Sequence, residues 1–205
     1  MTNFTNPLAR WNERFSTEDY LFGKRPNAYL AEKTPLLQKS MALCIADGEG
    51  RNSVWLASQG FEVDAFDFSP VAMSKAEKLA AKNNVNVNFK CSDWESFHWK
   101  PNHYDTIAGI FFQFADPGPR QDLFEKLHSS LKPGGTLIIQ GYGKEQLNYK
   151  TGGPGILENL YDEEFLLTSF PGYKVLDLIT YEQEVDEGQG HSGMSALVGF
   201  VGQKI

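Results

Sequence analysis

The sequence predicts an α/β fold in which helices flank a mostly parallel sheet, and three observations predict it. The middle of the chain alternates apolar runs with stretches whose apolar residues recur at helical spacing, the pattern of parallel strands joined by crossover helices. The first apolar run, Leu43-Cys44-Ile45-Ala46, ends in Asp47-Gly48-Glu49-Gly50 and gives way to a helix beginning at Arg51-Asn52. A strand ending in Gly-x-Gly lets a ligand approach the backbone, because glycine has no Cβ and tolerates positive φ. Nineteen residues after Gly48, Asp67 closes a second run, Phe61-Glu62-Val63-Asp64-Ala65-Phe66-Asp67, and an acid there accepts hydrogen bonds from the ribose hydroxyls of an adenosine.

In chain order, two short helices are expected around Trp11-Asn12-Glu13-Arg14-Phe15 and from Ala28 to Gln38. Strands follow over Met41 to Ala46, Glu62 to Asp67, Val87 to Cys91, Tyr104 to Ile110 and Gly135 to Gly141. Helices with apolar stripes lie between them, over Arg51 to Gln59, Val71 to Lys82 and Arg120 to Leu131. Ser69 and Pro70 start the second of these as N-cap and first helical residue. Lys132-Pro133-Gly134-Gly135 stops the third and turns the chain into the next strand. The loop from Tyr142 to Gly155 leads to a helix over Tyr161 to Ser169. Two strand-like runs, Tyr173 to Val185 and Ser195 to Lys204, then flank Asp186-Glu187-Gly188-Gln189-Gly190-His191-Ser192-Gly193, which suits an antiparallel hairpin with a long loop.

The 205 residues suit one domain, 1–205, with a helical segment over 1–40 and an α/β core over 41–205. No segment approaches the roughly 20 consecutive apolar residues of a membrane helix, and Met1 to Pro7 carries neither a basic region nor an apolar core. A cytoplasmic location is the default expectation. The net charge of −7 argues against nucleic acid, whose phosphates require clustered Lys and Arg, and leaves a small molecule as the expected partner. Cys44 and Cys91 fall in strands, where free cysteine acts as a small buried hydrophobe. His98, His103, His128 and His191 show no metal-ligand spacing, so no metal is expected.

A dinucleotide fingerprint is Gly-x-Gly-x-x-Gly, whereas Gly48-Glu49-Gly50-Arg51-Asn52-Ser53 ends in serine. That weakens a pyrophosphate site and favours S-adenosylmethionine, which carries no phosphate. Its adenine calls for a carboxylate and a flat apolar surface, and Ser92-Asp93-Trp94, just after the third strand, supplies both. The bland reading makes Trp94 core and Asp93 a helix cap, with Asp67 a plain turn residue.

These residues resemble class I S-adenosylmethionine-dependent methyltransferases, and among them the tellurite-resistance and thiopurine-methyltransferase-like group. The resemblance rests on Trp11-Asn12-Glu13-Arg14-Phe15, Tyr20-Leu21-Phe22-Gly23 with Pro26-Asn27, Gly48-Glu49-Gly50-Arg51-Asn52, Asp67-Phe68-Ser69-Pro70, Leu131-Lys132-Pro133-Gly134-Gly135, Gly152-Gly153-Pro154 and Asp186-Glu187-Gly188. It implies a Rossmann-like, doubly wound, mostly parallel sheet of seven strands whose last strand is antiparallel. It also implies an amino-terminal lid over the cofactor, where Tyr20, Phe22 and Tyr29 either close an apolar wall that excludes water or pack as an ordinary terminal helix. The broad class has Asp-x-Gly-x-Gly before the helix; here Cys44 and Ala46 replace the first Asp and first Gly, leaving Asp47 to take over contact with the cofactor's amino group. The cofactor site so expected comprises Ala46, Asp47, Gly48, Glu49, Gly50 and Asn52, then Asp67, Phe68 and Ser69, then Ser92, Asp93 and Trp94, with Phe22 from the lid.

Methyl transfer from a sulfonium depends chiefly on positioning, and a base is needed where the acceptor loses a proton. His191, in a glycine-rich loop, is the candidate catalytic residue; the relatives place a histidine in an equivalent Glu-Gly-x-x-His setting. Some follow it with arginine, and Ser192 here counts against an oxyanion acceptor. The alternative is a loop histidine bonded to Gly152-Gly153-Pro154. Gln113, Tyr142 and Tyr149 are further candidates for the acceptor side, and Phe111, Phe112 and Phe114 are assigned to the core. The acceptor class stays open among metalloid oxyanion, thiol and thiopurine, and no oligomeric state follows. A nicotinamide-dependent oxidoreductase and a non-catalytic cofactor-binding domain are the competing readings.

Overall fold

A computed structural model of the chain describes residues 6–149 and 151–205. Met1 to Thr5, part of the stretch read for a secretory signal, and Lys150 of the Tyr142–Gly155 loop lie outside the described residues. The amino-terminal helices are α1 (Pro7–Phe15) and α2 (Ala28–Lys33), followed by β1 (Met41–Ile45), α3 (Arg51–Ser58), β2 (Glu62–Asp67), α4 (Pro70–Lys82) and β3 (Asn88–Cys91). The second half contains β4 (Tyr104–Ile110), α5 (Pro117–Ser130), β5 (Leu131–Tyr142), α6 (Glu163–Ser169), β6 (Tyr173–Asp186) and β7 (Ser192–Lys204). The seven strands form one sheet in the order β3-β2-β1-β4-β5-β7-β6. β1 to β5 pair in parallel, and β7 runs antiparallel between β5 and β6. The strand order reverses between β1 and β4, where open α/β sheets form their ligand crevice.

Alternation along β1 shows how the core forms. Ala42 and Cys44 face one layer, with Leu56, Val63, Ala65, Ile138 and the α2 residues Tyr29 and Leu30. Leu43 and Ile45 face the other, with Phe66, Ile107, Leu127, Ile139 and Phe200. Strand geometry points neighbouring side chains to opposite faces, so a run apolar at every position belongs in a sheet covered on both sides. Each such large side chain contributes on the order of 2 kcal/mol by leaving water.

Several boundaries differ from expectation for local reasons. The second helix stops at Lys33 and tightens into a 3-10 turn over Thr34–Leu36, because Pro35 has no N–H to donate and crowds the preceding turn. Lys132 to Gly135 bulges out of β5 instead of preceding it, since Tyr104 pairs with Leu131 and Thr106 with Thr136. The helix expected from Tyr161 starts at Glu163, where the Asp162 carboxylate accepts the Phe165 N–H at 2.7 Å; Tyr161 is buried instead. The long hairpin loop shortens to Glu187 through His191, because Asp186 pairs with Ser192 and the Glu187 N–H reaches the His191 carbonyl at 2.9 Å.

Three burial expectations need correction. Cys91 is exposed, because it ends the edge strand β3, whereas Cys44 is buried. Phe112 is core and Phe111, at φ +54°, packs partly buried against the core, but Phe114 is 44% exposed. Tyr29 belongs to the layer under the sheet: its ring occupies the space where a Cβ on Gly199 would stand, and its hydroxyl donates to Asp177 at 2.8 Å. Among the described residues no helix is long and apolar enough to cross a membrane.

Candidate active site

The turn after β1 is built from left-handed backbone and buried acid. Ala46, Gly48 and Gly50 have φ of +47°, +59° and +87°. The Asp67 carboxylate, at the end of β2, accepts the Gly48 N–H at 3.0 Å through Oδ2 and the Ser69 N–H at 2.9 Å through Oδ1. Burial pushes its pKa up to about 6 against those backbone donors. Asp47 points into the first turn of α3, accepting the Ser53 N–H at 3.3 Å and the Ser53 hydroxyl. Burial raises it to about 7, opposed by Ser53 and reinforced by Asp67.

The two glycines serve different ends. A Cβ on Gly48 would lie 3.7 Å from the Phe15 ring of α1, an ordinary contact. On Gly50 it would meet Ala76 Cβ at 2.7 Å, so Gly50 is required for the close approach of α4 to the start of α3 as well as for its positive φ.

Other residues expected around the cofactor are engaged within the protein. Glu49 is buried and ties the Leu21 N–H at 2.7 Å to the Lys75 ammonium. Lys75 in turn donates to the Thr17 and Asp19 carbonyls. Asn52 accepts the Asn27 N–H at 3.0 Å. Ser69 caps α4 by accepting the Ala72 N–H and donates to Asn12 of α1 at 2.6 Å, while Phe68 beside it is half-buried. Ser92 donates its N–H to the Asp67 carbonyl at 3.0 Å. The Asp93 carboxylate caps the next turn by accepting the Ser96 N–H at 2.7 Å. Trp94 packs against the core, and its carbonyl accepts the Trp99 indole N–H. The cap and core readings of Asp93 and Trp94 thus describe the bonds they make.

The expected acceptor side around His191 lies where the β6–β7 hairpin meets the strap from Leu21 to Asn27. Gly188 has φ +77°, and a Cβ there would strike Gly23 N and Leu21 O at 2.6 Å. A Cβ on Gly190 would strike the Phe22 ring, and the Gly190 N–H donates to the Leu21 carbonyl at 2.9 Å. His191 is therefore held under the strap, 8% exposed. Its ring centroid lies 4.4 Å from Phe22, 4.2 Å from Phe111 and 5.7 Å from Tyr142. Burial lowers its pKa, partly offset by Glu187 and reinforced by Arg51 and Arg14.

Sequence reasoning missed the polar centre of this region. Glu187 accepts the Asn27 side-chain amide at 3.0 Å and the Ala28 N–H at 3.1 Å, and pairs with Arg51 Nη2 at 2.8 Å. Burial alone would raise its pKa, but His191, Arg51 and the Ala28 N–H bring it down to about 2. Asn27 also donates to Gln140 Oε1 at 2.6 Å, and Gln140 donates to the Tyr181 hydroxyl. The family-like segments Pro26-Asn27 and Asp186-Glu187-Gly188 held the signal for two of these residues; nothing in residue type alone marked Gln140 or Tyr181.

The remaining acceptor-side expectations divide. Tyr142 is buried beside Phe111, 4.8 Å between centroids, with its hydroxyl unpartnered among the described residues. Gln113 is a clamp, not a lining residue: its amide donates to the Tyr142 and Asn159 carbonyls and accepts the Tyr142 N–H. Tyr149 stands apart, beside Glu182. Gly152 and Gly153 pack against the Tyr142 ring instead of bonding His191. Tyr20 donates to the Lys75 carbonyl at 3.0 Å, so it joins Phe22 in the amino-terminal covering while Tyr29 does not.

The donor set fits S-adenosylmethionine. Two buried carboxylates favour its cationic and hydroxyl groups, whereas a pyrophosphate would meet those negative charges, with Arg51 at the start of α3 already paired to Glu187.

Comparison with known proteins agrees. Residues 42–135 match the model of a methyltransferase domain family. The chain is 27% identical over 165 residues to probable thiol methyltransferase 2 of Arabidopsis thaliana, covering 80% of this chain and 71% of that protein. It is 37% identical over 60 residues to an uncharacterized methyltransferase of Schizosaccharomyces pombe, covering 29% of this chain and only 41% of that protein. It is also 24% identical over 92 residues to hemagglutinin 1 of Eikenella corrodens, covering 45% of this chain and 31% of that protein. The chain thus spans less than half the length of the last two. Among solved structures, the N-methyltransferase NodS of Bradyrhizobium japonicum with S-adenosyl-L-homocysteine superposes at a TM-score of 0.73, with 12% identity, covering 96% of this chain and 97% of that one. TehB of Haemophilus influenzae superposes at 0.71, with 16% identity, covering 97% and 67%. Residues 42–135 are thus similar to a methyltransferase domain, and the chain shares the fold of these methyltransferase structures. The likeness to a probable thiol methyltransferase and the fold shared with TehB agree with the resemblance drawn from the sequence.

Proposed function

We propose that this chain transfers a methyl group from S-adenosylmethionine to a small thiol or similarly soft nucleophile. The observation that carries the reading is the acidic glycine turn, in which Asp47 and Asp67 lie buried beside the backbone of Gly48. When bound, S-adenosylmethionine supplies an electrophilic methyl group on a sulfonium whose departing thioether is neutral. Asp67 and the turn would hold the donor's ribose side, and Phe15, which lies over Gly48 and packs edge-on against Phe22, would help keep water away.

On the acceptor side, Phe22, Phe111 and Tyr142 surround His191 with rings. Burial holds the imidazole below its ordinary pKa, hence neutral and able to take a proton at pH 7. A thiol that gives up its proton to His191 as its sulfur gains the methyl group matches these surroundings. An oxyanion matches them less well, because Arg51 is bound to Glu187. The likeness to a probable thiol methyltransferase supports the same acceptor class.

The test has two arms. Calorimetry with S-adenosyl-L-homocysteine measures cofactor binding, and S-adenosyl-L-homocysteine release is followed with hydrogen sulfide, small thiols, a thiopurine and tellurite as acceptors. Binding together with turnover of thiols is expected. Absence of cofactor binding overturns the whole reading, and turnover of tellurite but no thiol overturns the acceptor class.

A further inference from the structure

His191 Nδ1 is fully buried and has no hydrogen-bond partner among the described residues. A carboxylate oxygen, Glu187 Oε2, stands 3.9 Å away, too far for a hydrogen bond but within ion-pair range. The hairpin fixes this relation, since the Glu187 N–H bonds the His191 carbonyl at 2.9 Å and the His191 N–H reaches the Gly188 carbonyl at 3.3 Å. The same carboxylate is fastened by three groups from elsewhere in the chain: Arg51 Nη2 at 2.8 Å, Asn27 Nδ2 at 3.0 Å and the Ala28 N–H at 3.1 Å.

An imidazole beside a fixed anion prefers to turn its N–H toward it, because a lone pair facing a carboxylate is repelled. We propose that Glu187 is the positioning residue for His191: docked by Arg51, Asn27 and Ala28, it holds the neutral ring in the Nδ1–H tautomer and leaves the Nε2 lone pair for the acceptor's proton. Glu187 does not itself touch the acceptor. After proton transfer it faces the imidazolium, offsetting the opposing charges of Arg51 and Arg14, the cations acting on the ring from α3 and α1. Strap and base are thereby coupled, because Asn27 and Ala28 belong to the strap and to the start of α2. Displacing them releases the carboxylate that orients the ring.

This inference rests on the proposed role of His191 as base, but its test reads the ring directly. The chain has four histidines, so ¹⁵N and ¹³C NMR of histidine-labelled protein resolves them individually, with His191→Asn giving the assignment. In the unaltered protein the shifts should report the Nδ1–H form of His191; a predominant Nε2–H form overturns the proposal without any variant. Glu187→Gln retains size and one acceptor oxygen but removes the charge. It should mix the tautomers and move the His191 titration to lower pH by about one unit, and the acid limb of kcat/KM should follow. Glu187→Asp, which restores the charge, should recover the tautomer in part. Unchanged tautomer and titration in a folded Glu187→Gln protein would overturn the positioning role even if methyl transfer to thiols stood. Failure of cofactor binding would strike only the proposed function.

Discussion

The glycine turn proposed to hold the cofactor and the proposed acceptor side are held together over very different lengths of chain. At the turn, Asp67 bonds the Gly48 N–H across 19 residues, and Asp47 bonds Ser53 across 6. On the acceptor side, Asn27 reaches Gln140 across 113 residues and Glu187 across 160. The first region is a neighbourhood of consecutive strand, turn and helix, with backbone N–H groups as donors. The second exists only because a strap, a helix start, a central strand and a hairpin converge on one carboxylate. A region of the first kind writes itself into residue spacing, and one of the second kind does not.

Substitutions can separate the two regions. The largest effect is expected at His191: His191→Ala should lower turnover about 10³-fold if the ring is the proton acceptor, with S-adenosyl-L-homocysteine affinity within twofold by calorimetry. Equal losses in both would show the regions to be one energetic unit. Next, Gly50→Ala forces a Cβ to within 2.7 Å of Ala76 at a φ of +87°. Strain and overpacking should cost about 3 kcal/mol of stability in urea unfolding. A loss under about 0.5 kcal/mol would mean that α4 can move away, leaving glycine there for the ligand alone.

Asp67→Asn comes third, with about 100-fold weaker cofactor binding and much smaller change in rate at saturating cofactor. A variant that binds normally would reduce Asp67 to a turn-stabilising residue.

The smallest expected effect is that of pH. Asp47 and Asp67 titrate at about 7 and about 6 in the folded chain, above the roughly 4 of an unfolded aspartate. The folded state therefore binds more protons between these values, and their contribution to stability falls as pH rises from about 4 to about 7. Cationic S-adenosylmethionine favours the ionised pair, so its affinity should rise about tenfold between pH 5.5 and 7.5. The thermal shift it induces should grow in parallel. A flat dependence would separate these carboxylates from cofactor binding.

Much of the first region was legible. The Asp67 spacing, the Ser69 cap with Pro70 and the positive φ expected of Gly48 and Gly50 all follow from short-range rules. Even there, the engagements of Glu49 with Leu21 and Lys75 and of Asn52 with Asn27 depend on the amino-terminal segment folding back, which spacing does not encode. On the acceptor side His191 stood out as a histidine among glycines. Phe111 packs partly buried against the core as its apolar run suggests, and only the fold brings its ring within 4.2 Å of the histidine.

By itself, then, the sequence determined the alternating α/β order, the glycine turn and its acid, because strand and helix periodicities and turn chemistry act within about 20 residues. The tertiary structure decided which polar groups meet: Arg51 with Glu187, Asn27 with Gln140 and His191 with its aromatic ring wall. The physical reason is that a buried charge must find compensating partners wherever the packed chain brings them, and those partners come from segments that only the folded sheet places side by side.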